Sequence, residues 1–226
     1  MSPAFFIEHR NAFLQGLGVT AMLLGISTVF GLMLALPIAL ARVSRRGTAA
    51  RLADGFVYLF RGTPLLTQLF LIYYGLAQFE TVRDSALWPL LREPMPCAIV
   101  ALSLNMAAYV SETLRAGILA VPLGEREAGL AAGMSPALLY RRIVLPRALR
   151  IALPGLGNEL VIQLKSTAVV STVTLLDVTG VARRIMTLTY SVDALIAAGI
   201  LYALMTYAIS RIFRLAERRL NRHLPA

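Results

Sequence analysis

The residues best suited to chemistry form polar lines in an otherwise apolar stretch near residue 160. A first line recurs at helical spacing, so its members share one face of a helix: Glu159, Gln163, Ser166 or Thr167, Ser171 and Thr174. A second line has seven-residue spacing: Asn158, Lys165 and Thr172. A carboxylate or an ammonium at bilayer depth costs about 2.5–3.5 kcal/mol, so these groups should face a wet cavity or a partner helix. Two interpretations stay open: a pathway for a polar solute, and hydrogen bonding between helices of a dimer.

Residues that could bind a metal or act as nucleophiles have no suitable pattern in the sequence. His9 and His223 lie near opposite ends, and Cys97 is the single cysteine, so no intrachain disulfide can form. No set of Cys, His and carboxylates has metal-ligand or nucleophile spacing. The run from Lys165 to Thr167 lacks the preceding glycines of a phosphate-binding loop. We therefore expect neither an enzyme nor a bound cofactor, and any ATP hydrolysis must come from a separate subunit.

The elements that position the polar lines are expected to be membrane helices. The chain has 226 residues, of which 58% are hydrophobic and 15% charged, a composition too apolar for a typical soluble domain. An apolar run of about 20 residues spans the bilayer core as a helix. We predict five spans, with part of the first outside the core: 11–41, 55–79, 94–118, 151–178 and 194–212.

The distribution of basic residues predicts the orientation. With the N-terminus outside, 15 of the 22 basic residues fall in cytoplasmic segments and five outside, as the positive-inside rule favours. The C-terminus is then cytoplasmic. The net charge of +10 does not indicate nucleic-acid binding, because the charges cluster at the ends of apolar runs rather than in one basic stripe.

A charged helical segment, residues 127–154, follows the third predicted span and overlaps the start of the fourth. A first short helix should end at Gly133, and Ser135 followed by Pro136 predicts the start of a second. We expect Pro146 to stop this second helix at about Leu145, and Pro154 to bound the following piece. The segment is either an ordinary cytoplasmic loop whose arginines fix topology, or a docking knuckle for a partner outside the membrane.

The pattern of this segment resembles the EAA loop of ABC importer permeases. That signature is E-A-A, three residues, G, nine residues, I, one residue and L-P. The matching residues are Glu127, Ala128, Gly129, Gly133, Ile143, Leu145 and Pro146. Gly129 is the one departure, since alanine is usual there. The resemblance implies that residues 122–146 form the helix that docks onto an ATPase subunit.

Two further stretches resemble the polar amino acid branch of these permeases. Arg61, Gly62, Thr63 and Pro64 open a stretch similar to R-G-T-P-L-L-x-Q-L, although a simple helix kink is the alternative. Residues 107–118 are similar to A-A-Y-x-A-E-x-x-R-x-G-I. Within them, Glu112 and Arg115 are three residues apart, so we expect an ion pair at the cytoplasmic end of the third span.

The fourth predicted span resembles the same family over Asn158 to Ser171, and residues 174–182 are most similar to histidine, basic amino acid and opine permeases. Within the resemblance, the residues expected along the substrate pathway are Asn158, Glu159, Gln163, Lys165, Ser166 and Thr167. Glu159 could hold either the α-ammonium or a cationic side chain of the substrate.

The resemblance covers nearly the whole chain and implies its architecture and partners. It implies an all-α type I ABC importer transmembrane domain over residues 1–226, with a periplasmic segment 1–13 and a core of about 14–218. The implied setting is the bacterial inner membrane, and the implied partners are a second permease, two ATPases that use ATP and Mg, and a periplasmic solute-binding protein. A pair of different permeases is favoured, with a homodimer as the alternative.

Two alternatives to amino acid or opine transport stay open. One is a permease for another small polar solute. The other is a membrane scaffold that binds a partner without moving anything, but such a protein has no need for a polar line in its fourth span.

Overall fold

The computed structural model describes residues 3–44 and 47–220, and within them the secondary structure is helical without strands. Arg45, Arg46, Arg222 and His223 lie outside the described residues. Eleven α-helices are assigned in that part: α1 (Pro3–Ser44), α2 (Gly47–Gly62), α3 (Leu65–Phe70), α4 (Glu80–Arg83), α5 (Trp88–Leu91), α6 (Pro94–Leu119), α7 (Leu123–Ala131), α8 (Pro136–Leu139), α9 (Leu145–Ser166), α10 (Val178–Thr189) and α11 (Asp193–Leu220). Within these residues, three helices are long and apolar enough to cross a membrane, or up to five if each of two bent pairs forms one span.

Helix α6 is the centre of the fold and packs against both α1 and α9. Small residues allow this approach: a Cβ built on Gly117 would lie 2.7 Å from the backbone oxygen of Ala148 in α9. On the other side, a Cβ on Gly31 of α1 would lie 2.6 Å from Cγ of Met106. Helix α11 packs on α9 and α10 and leaves most of its surface uncovered.

Helix α1 is longer than the predicted span. At 1.5 Å per residue, its 42 residues extend over about 63 Å, twice a ~30 Å bilayer core. Its N-terminal part is covered by α10 and the start of α11, because Phe13 is buried against Val178, Val181 and Ala197.

The second predicted span is corrected from one bent helix to two helices, which meet at the bend predicted near Gly62 and Pro64. Helix α2 and the helical run Leu65–Gln78 meet at 106°. Pro64 is extended, with φ −65° and ψ 137°. Proline disfavours the helical conformation in the preceding residue and lacks an amide hydrogen, so the chain turns at Gly62 to Pro64.

The fourth predicted span is also corrected, at both ends. A helical run extends from Pro136 to Val173 through α8, a π-helical turn at Tyr140–Val144, α9 and a 3₁₀ segment at Thr167–Val173. It ends at Thr174, whose φ is +69°, and α10 follows at 47°.

Neither Pro146 nor Pro154 ends a helix, contrary to prediction. Pro146 is the second residue of α9, directly after the π-helical turn, and the helical run continues through it. Pro154 lies inside α9, and prolines are tolerated within membrane helices when neighbouring groups satisfy the freed carbonyl.

Candidate functional site

The segment between α6 and α9 forms a two-helix knuckle, residues 122–146. Helix α7 ends in a Schellman motif: Met134 N donates to Gly129 O at 3.1 Å and Gly133 N donates to Leu130 O at 2.9 Å. Gly133 adopts a φ of +77°, which favours glycine. Ser135 then caps α8, accepting a hydrogen bond from Leu138 N at 3.4 Å. The predicted end at Gly133 and restart at Ser135 are therefore confirmed.

The two helices of the knuckle touch at Gly129. A Cβ there would lie 2.5 Å from Cδ1 of Leu139 and 2.9 Å from Cδ1 of Ile143. The departure from the usual alanine thus coincides with a close helix contact. Leu139 also belongs to a buried apolar cluster with Ile118 and Val144, which joins the knuckle to α6 and α9.

Polar contacts fix the knuckle to the membrane helices. Arg126 donates a hydrogen bond from its guanidinium to Ile118 O at the end of α6. Glu125 and Arg147 pair at 3.4 Å and link α7 to α9. The opposite side is open, and its exposed residues include Leu123, Glu127, Ala128, Leu130, Gly133, Leu138, Arg141, Arg142 and Pro146. This outer face combines apolar and basic side chains, as a protein docking surface does.

A charge network joins three helices next to the knuckle. Glu112 pairs with Arg115 at 2.5 Å, which confirms the predicted ion pair, and also with Arg42 of α1. Arg42 in turn donates from Nε to Asp54 of α2 at 2.7 Å. Sequence reasoning missed Arg42 and Asp54, because ion pairs between distant segments leave no local spacing.

The bend at Gly62 to Pro64 is stabilised by a buried amide. Gln68 Nε2 donates to Phe60 O at 2.8 Å, Thr63 O at 3.1 Å and Thr63 Oγ1 at 2.9 Å. Asn105 of α6 donates to Gln68 Oε1 at 3.0 Å. Thr63 donates to Leu59 O at 2.8 Å, as expected of a threonine at a kink. The glutamine of the R-G-T-P-L-L-x-Q-L stretch therefore has a structural role that its position in the motif did not reveal.

The first polar line of α9 lies mostly inside the subunit. Gln163 is buried and donates to Ser27 Oγ of α1 at 2.9 Å and to Leu102 O of α6 at 3.1 Å. Thr167 is fully buried and donates to Leu164 O, and Ser166 is half-buried. Helix-to-helix hydrogen bonds therefore occur within this chain. Hydrogen bonding across a dimer and a substrate role for these residues both stay predictions.

The second polar line lies on the surface of the chain. Asn158, Lys165 and Thr172 are exposed. Lys165 lines a groove of about 830 Å³ between α9 and α11, together with Thr179, Tyr202, Thr206 and Arg214 among others. Thr206 Oγ1 is buried there without a hydrogen-bond partner among the described residues.

Glu159, the first member of the first polar line, is half-buried where α6 and α9 come close. Thr113 Oγ1 donates to Glu159 Oε1 at 3.3 Å, and a Cβ on Gly155 would meet Thr113 Cγ2 at 2.7 Å. Arg61 of α2 lies over the Tyr109 ring at 5.2 Å and near enough for its charge to act on Glu159. The site therefore offers one carboxylate and one guanidinium beside an aromatic ring.

Asp177 is a further residue whose role the sequence did not predict. It is fully buried at the N-terminus of α10 and accepts hydrogen bonds from Thr179 N, Gly180 N and the Tyr202 hydroxyl. An aspartate before a new helix is the available signal, but an expected span running through residue 177 obscured it.

The described residues contain no group of three or more His, Cys, Asp or Glu side chains that could hold a metal ion. The described residues form a helix bundle to which the knuckle is attached. Residues 27–222 match the family described as the binding-protein-dependent transport system inner membrane component. The chain belongs to this family. Its members are membrane subunits of transporters. The predicted family resemblance and the all-α class are confirmed, while the five spans and the orientation of the termini stay predictions.

Two relatives and one solved structure match this chain over nearly its whole length. The chain is 47% identical to the nopaline transport system permease protein NocM of Agrobacterium fabrum, over 100% of this chain and 95% of that protein. It is 41% identical to the histidine/lysine/arginine/ornithine transport system permease protein HisM of Salmonella typhimurium, over 92% of this chain and 90% of that protein. A crystal structure of an amino acid ABC transporter with histidines superposes with a TM-score of 0.85 at 34% identity, over 97% of this chain and 99% of that chain.

Proposed function

We propose that this chain is the permease subunit of an ATP-driven importer that carries a polar, cationic amino acid or an opine from the periplasm to the cytoplasm. The observation that carries the proposal is the helical run from Pro136 to Val173, which connects the knuckle to Glu159 without a sharp bend. A displacement of the exposed face at Glu127 and Gly133 would therefore move the residues beside Glu159. The relatives named for nopaline and for basic amino acids support the substrate class.

The cluster around Glu159 suits a solute that carries both a positively and a negatively charged group. Glu159 can bind an ammonium or a cationic side chain, and the Arg61 guanidinium can bind a carboxylate through paired hydrogen bonds. Tyr109 offers a ring face to a cation. Lys165 and Asn158, on the exposed line, would extend the pathway along α9. Arg61 and Glu159 would then exchange their mutual interaction for contacts with the substrate.

Partners follow from the same proposal. Two ATPases would use ATP and Mg, and their closure, passed through residues 122–146, would open the cavity outward; hydrolysis would reset it. A periplasmic binding protein would deliver the solute. The second permease would face the groove beside Lys165, because the polar groups of that groove are better matched by a protein than by lipid tails. We favour two different permeases over a homodimer.

The proposed topology has five spans, the N-terminal segment 1–13 in the periplasm, the core 14–218 in the bacterial inner membrane and the C-terminus in the cytoplasm. Arginine placement supports it. It places the knuckle where cytoplasmic ATPases can reach it.

The proposal is tested by uptake of labelled arginine, histidine and nopaline into proteoliposomes. These contain the chain with its partners, ATP inside and the binding protein outside. Glu159→Gln should abolish uptake of the cationic substrate, whereas Glu80→Gln, at an exposed carboxylate between α3 and α6, should leave it unchanged. Uptake insensitive to Glu159→Gln would keep the importer but make Glu159 structural. A complete assembly that moves no solute would favour the scaffold.

A further inference from the structure

A polar pocket of about 390 Å³ lies beside the charge network and apart from the proposed substrate pathway. It opens where the end of α1, the first turns of α2 and the knuckle end of α6 meet. Its lining residues are Arg42, Gly47, Ala50, Arg51, Asp54 and Arg115. Three guanidiniums thus face one carboxylate.

Two of these guanidiniums are held in place by carboxylates and still have free donors. Arg42 uses Nε for Asp54 and Nη1 for Glu112, while Arg115 uses Nε and Nη2 for Glu112. Each guanidinium carries five N–H donors. Arg42 Nη2 and Arg115 Nη1 therefore have no acceptor among the described residues, and their orientation is fixed before any ligand arrives.

The third guanidinium is unpaired. Arg51 is exposed and makes no ion pair or hydrogen bond within residues 3–44 and 47–220. The three guanidiniums are balanced by two carboxylates when Glu112 is counted with Asp54, so one positive charge at the pocket is uncompensated. An anion therefore completes the pocket electrostatically.

The backbone at the start of α2 also favours a bound anion. The helix begins at Gly47, which lines the pocket, and has no acidic residue in its first turn. The free amides of a helix N-terminus favour an anion. In addition, Leu52, Tyr58 and Leu59 of α2 are exposed large hydrophobic residues, so the same helix offers an apolar surface.

We propose that this pocket binds a phosphate group. Guanidinium forks match phosphate oxygens in pairs, and the pocket joins them to a helix N-terminus. The phosphate belongs either to the headgroup of an anionic phospholipid, since basic pockets between membrane helices at the cytoplasmic side suit such headgroups, or to soluble inorganic phosphate. Bound there, it links α1, α2 and α6 next to the knuckle.

The test uses the purified complex of this chain with its partners in detergent. Native mass spectrometry measures retention of phosphatidylglycerol against phosphatidylcholine, and calorimetry measures inorganic phosphate against chloride at equal ionic strength. Arg51→Gln should weaken binding about tenfold, as loss of one charged hydrogen-bonding group does. Asp54→Asn, which removes the negative charge from the lining, should strengthen it. Arg211→Gln, an equal charge change on α11 away from the pocket, should have no effect.

The pattern of responses decides between the outcomes. If retention of phosphatidylglycerol falls in Arg51→Gln and rises in Asp54→Asn, the ligand is the lipid headgroup. If only the binding of inorganic phosphate changes in this way, the ligand is soluble phosphate. Equal effects of Arg51→Gln and Arg211→Gln, or no preference for either phosphate source, overturn the proposal. Loss of the second permease in Arg51→Gln with unchanged phosphate and lipid binding also overturns it, because the pocket would then be a subunit contact.

Discussion

Arg42 and Glu112 are 70 residues apart in the sequence and form an ion pair between the last turn of α1 and α6. Both side chains are largely covered, with 14% and 24% of their surface exposed. Arg42 also holds Asp54 and Glu112 also holds Arg115. The four charges therefore fix the ends of α1, α2 and α6 relative to one another.

A double-mutant cycle should reveal this coupling. We expect Arg42→Gln and Glu112→Gln each to destabilise the protein, and the double variant to lose less than the sum, with an interaction energy of about 1–2 kcal/mol. Reversible unfolding in mixed micelles measures it. The pair Arg211→Gln and Glu80→Gln, whose side chains lie in distant parts of the chain, serves as the control and should be additive. Additivity in both cycles would contradict a structural pair.

The bend before α3 should depend on Gln68. Gln68→Leu leaves the carbonyls of Phe60 and Thr63 and the amide of Asn105 without this partner, and buried unsatisfied groups cost about 1–3 kcal/mol each. We expect a loss of about 2–4 kcal/mol in the free energy of unfolding. Gln78→Leu, at an exposed position in the same helical run, should change it by less than about 0.5 kcal/mol. Similar values for both variants would refute the role of Gln68.

The knuckle should respond to the backbone conformation at Gly133 rather than to side-chain size. Gly133→Ala forces an L-residue into a φ of +77°, a cost of about 1–2 kcal/mol, and should reduce substrate-stimulated ATP hydrolysis by the assembled complex. Gly133→Asn, with the larger side chain but better tolerance of this conformation, should retain more activity. An alanine variant more active than the asparagine variant would rule out the conformational explanation.

Cysteine labelling should distinguish the two polar lines of α9 and the 3₁₀ segment that follows it. In a Cys97→Ser background, cysteines at Asn158, Lys165 and Thr172 should react with a water-soluble maleimide in the complex if they line a wet pathway. A cysteine at Gln163 should stay unreactive, because that position is buried against α1 and α6. Labelling is repeated without the second permease. A cysteine that becomes reactive only then is covered by the partner, and one that stays unreactive is covered by lipid. Reaction at Gln163 alone would reverse the assignment.

Local chemistry was predictable from the sequence. Gly133, the Ser135 cap and the Glu112–Arg115 pair each depend on neighbours within four residues, and each has the expected geometry. Pro146 and Pro154 misled because proline rules describe an isolated α-helix, and here a π-helical turn and membrane packing accommodate both rings. Periodicity predicted which polar residues of α9 share a face, but not which face is covered, since that depends on where α1 and α6 pack.

The π-helical turn at Tyr140–Val144 sets how two surfaces of the same helical run are oriented. Each residue of an α-helix turns the next by about 100°, and a π-turn holds one residue more than an α-helical turn. Arg141 and Arg142 therefore lie at a different angle around the axis from Asn158 and Lys165 than an uninterrupted helix would give. A single-residue deletion in this turn would rotate Arg141 and Arg142 relative to Asn158 and Lys165 while leaving both sets of side chains intact. The angle between the two surfaces around the helix axis can therefore change in evolution without any change in the residues that form either surface.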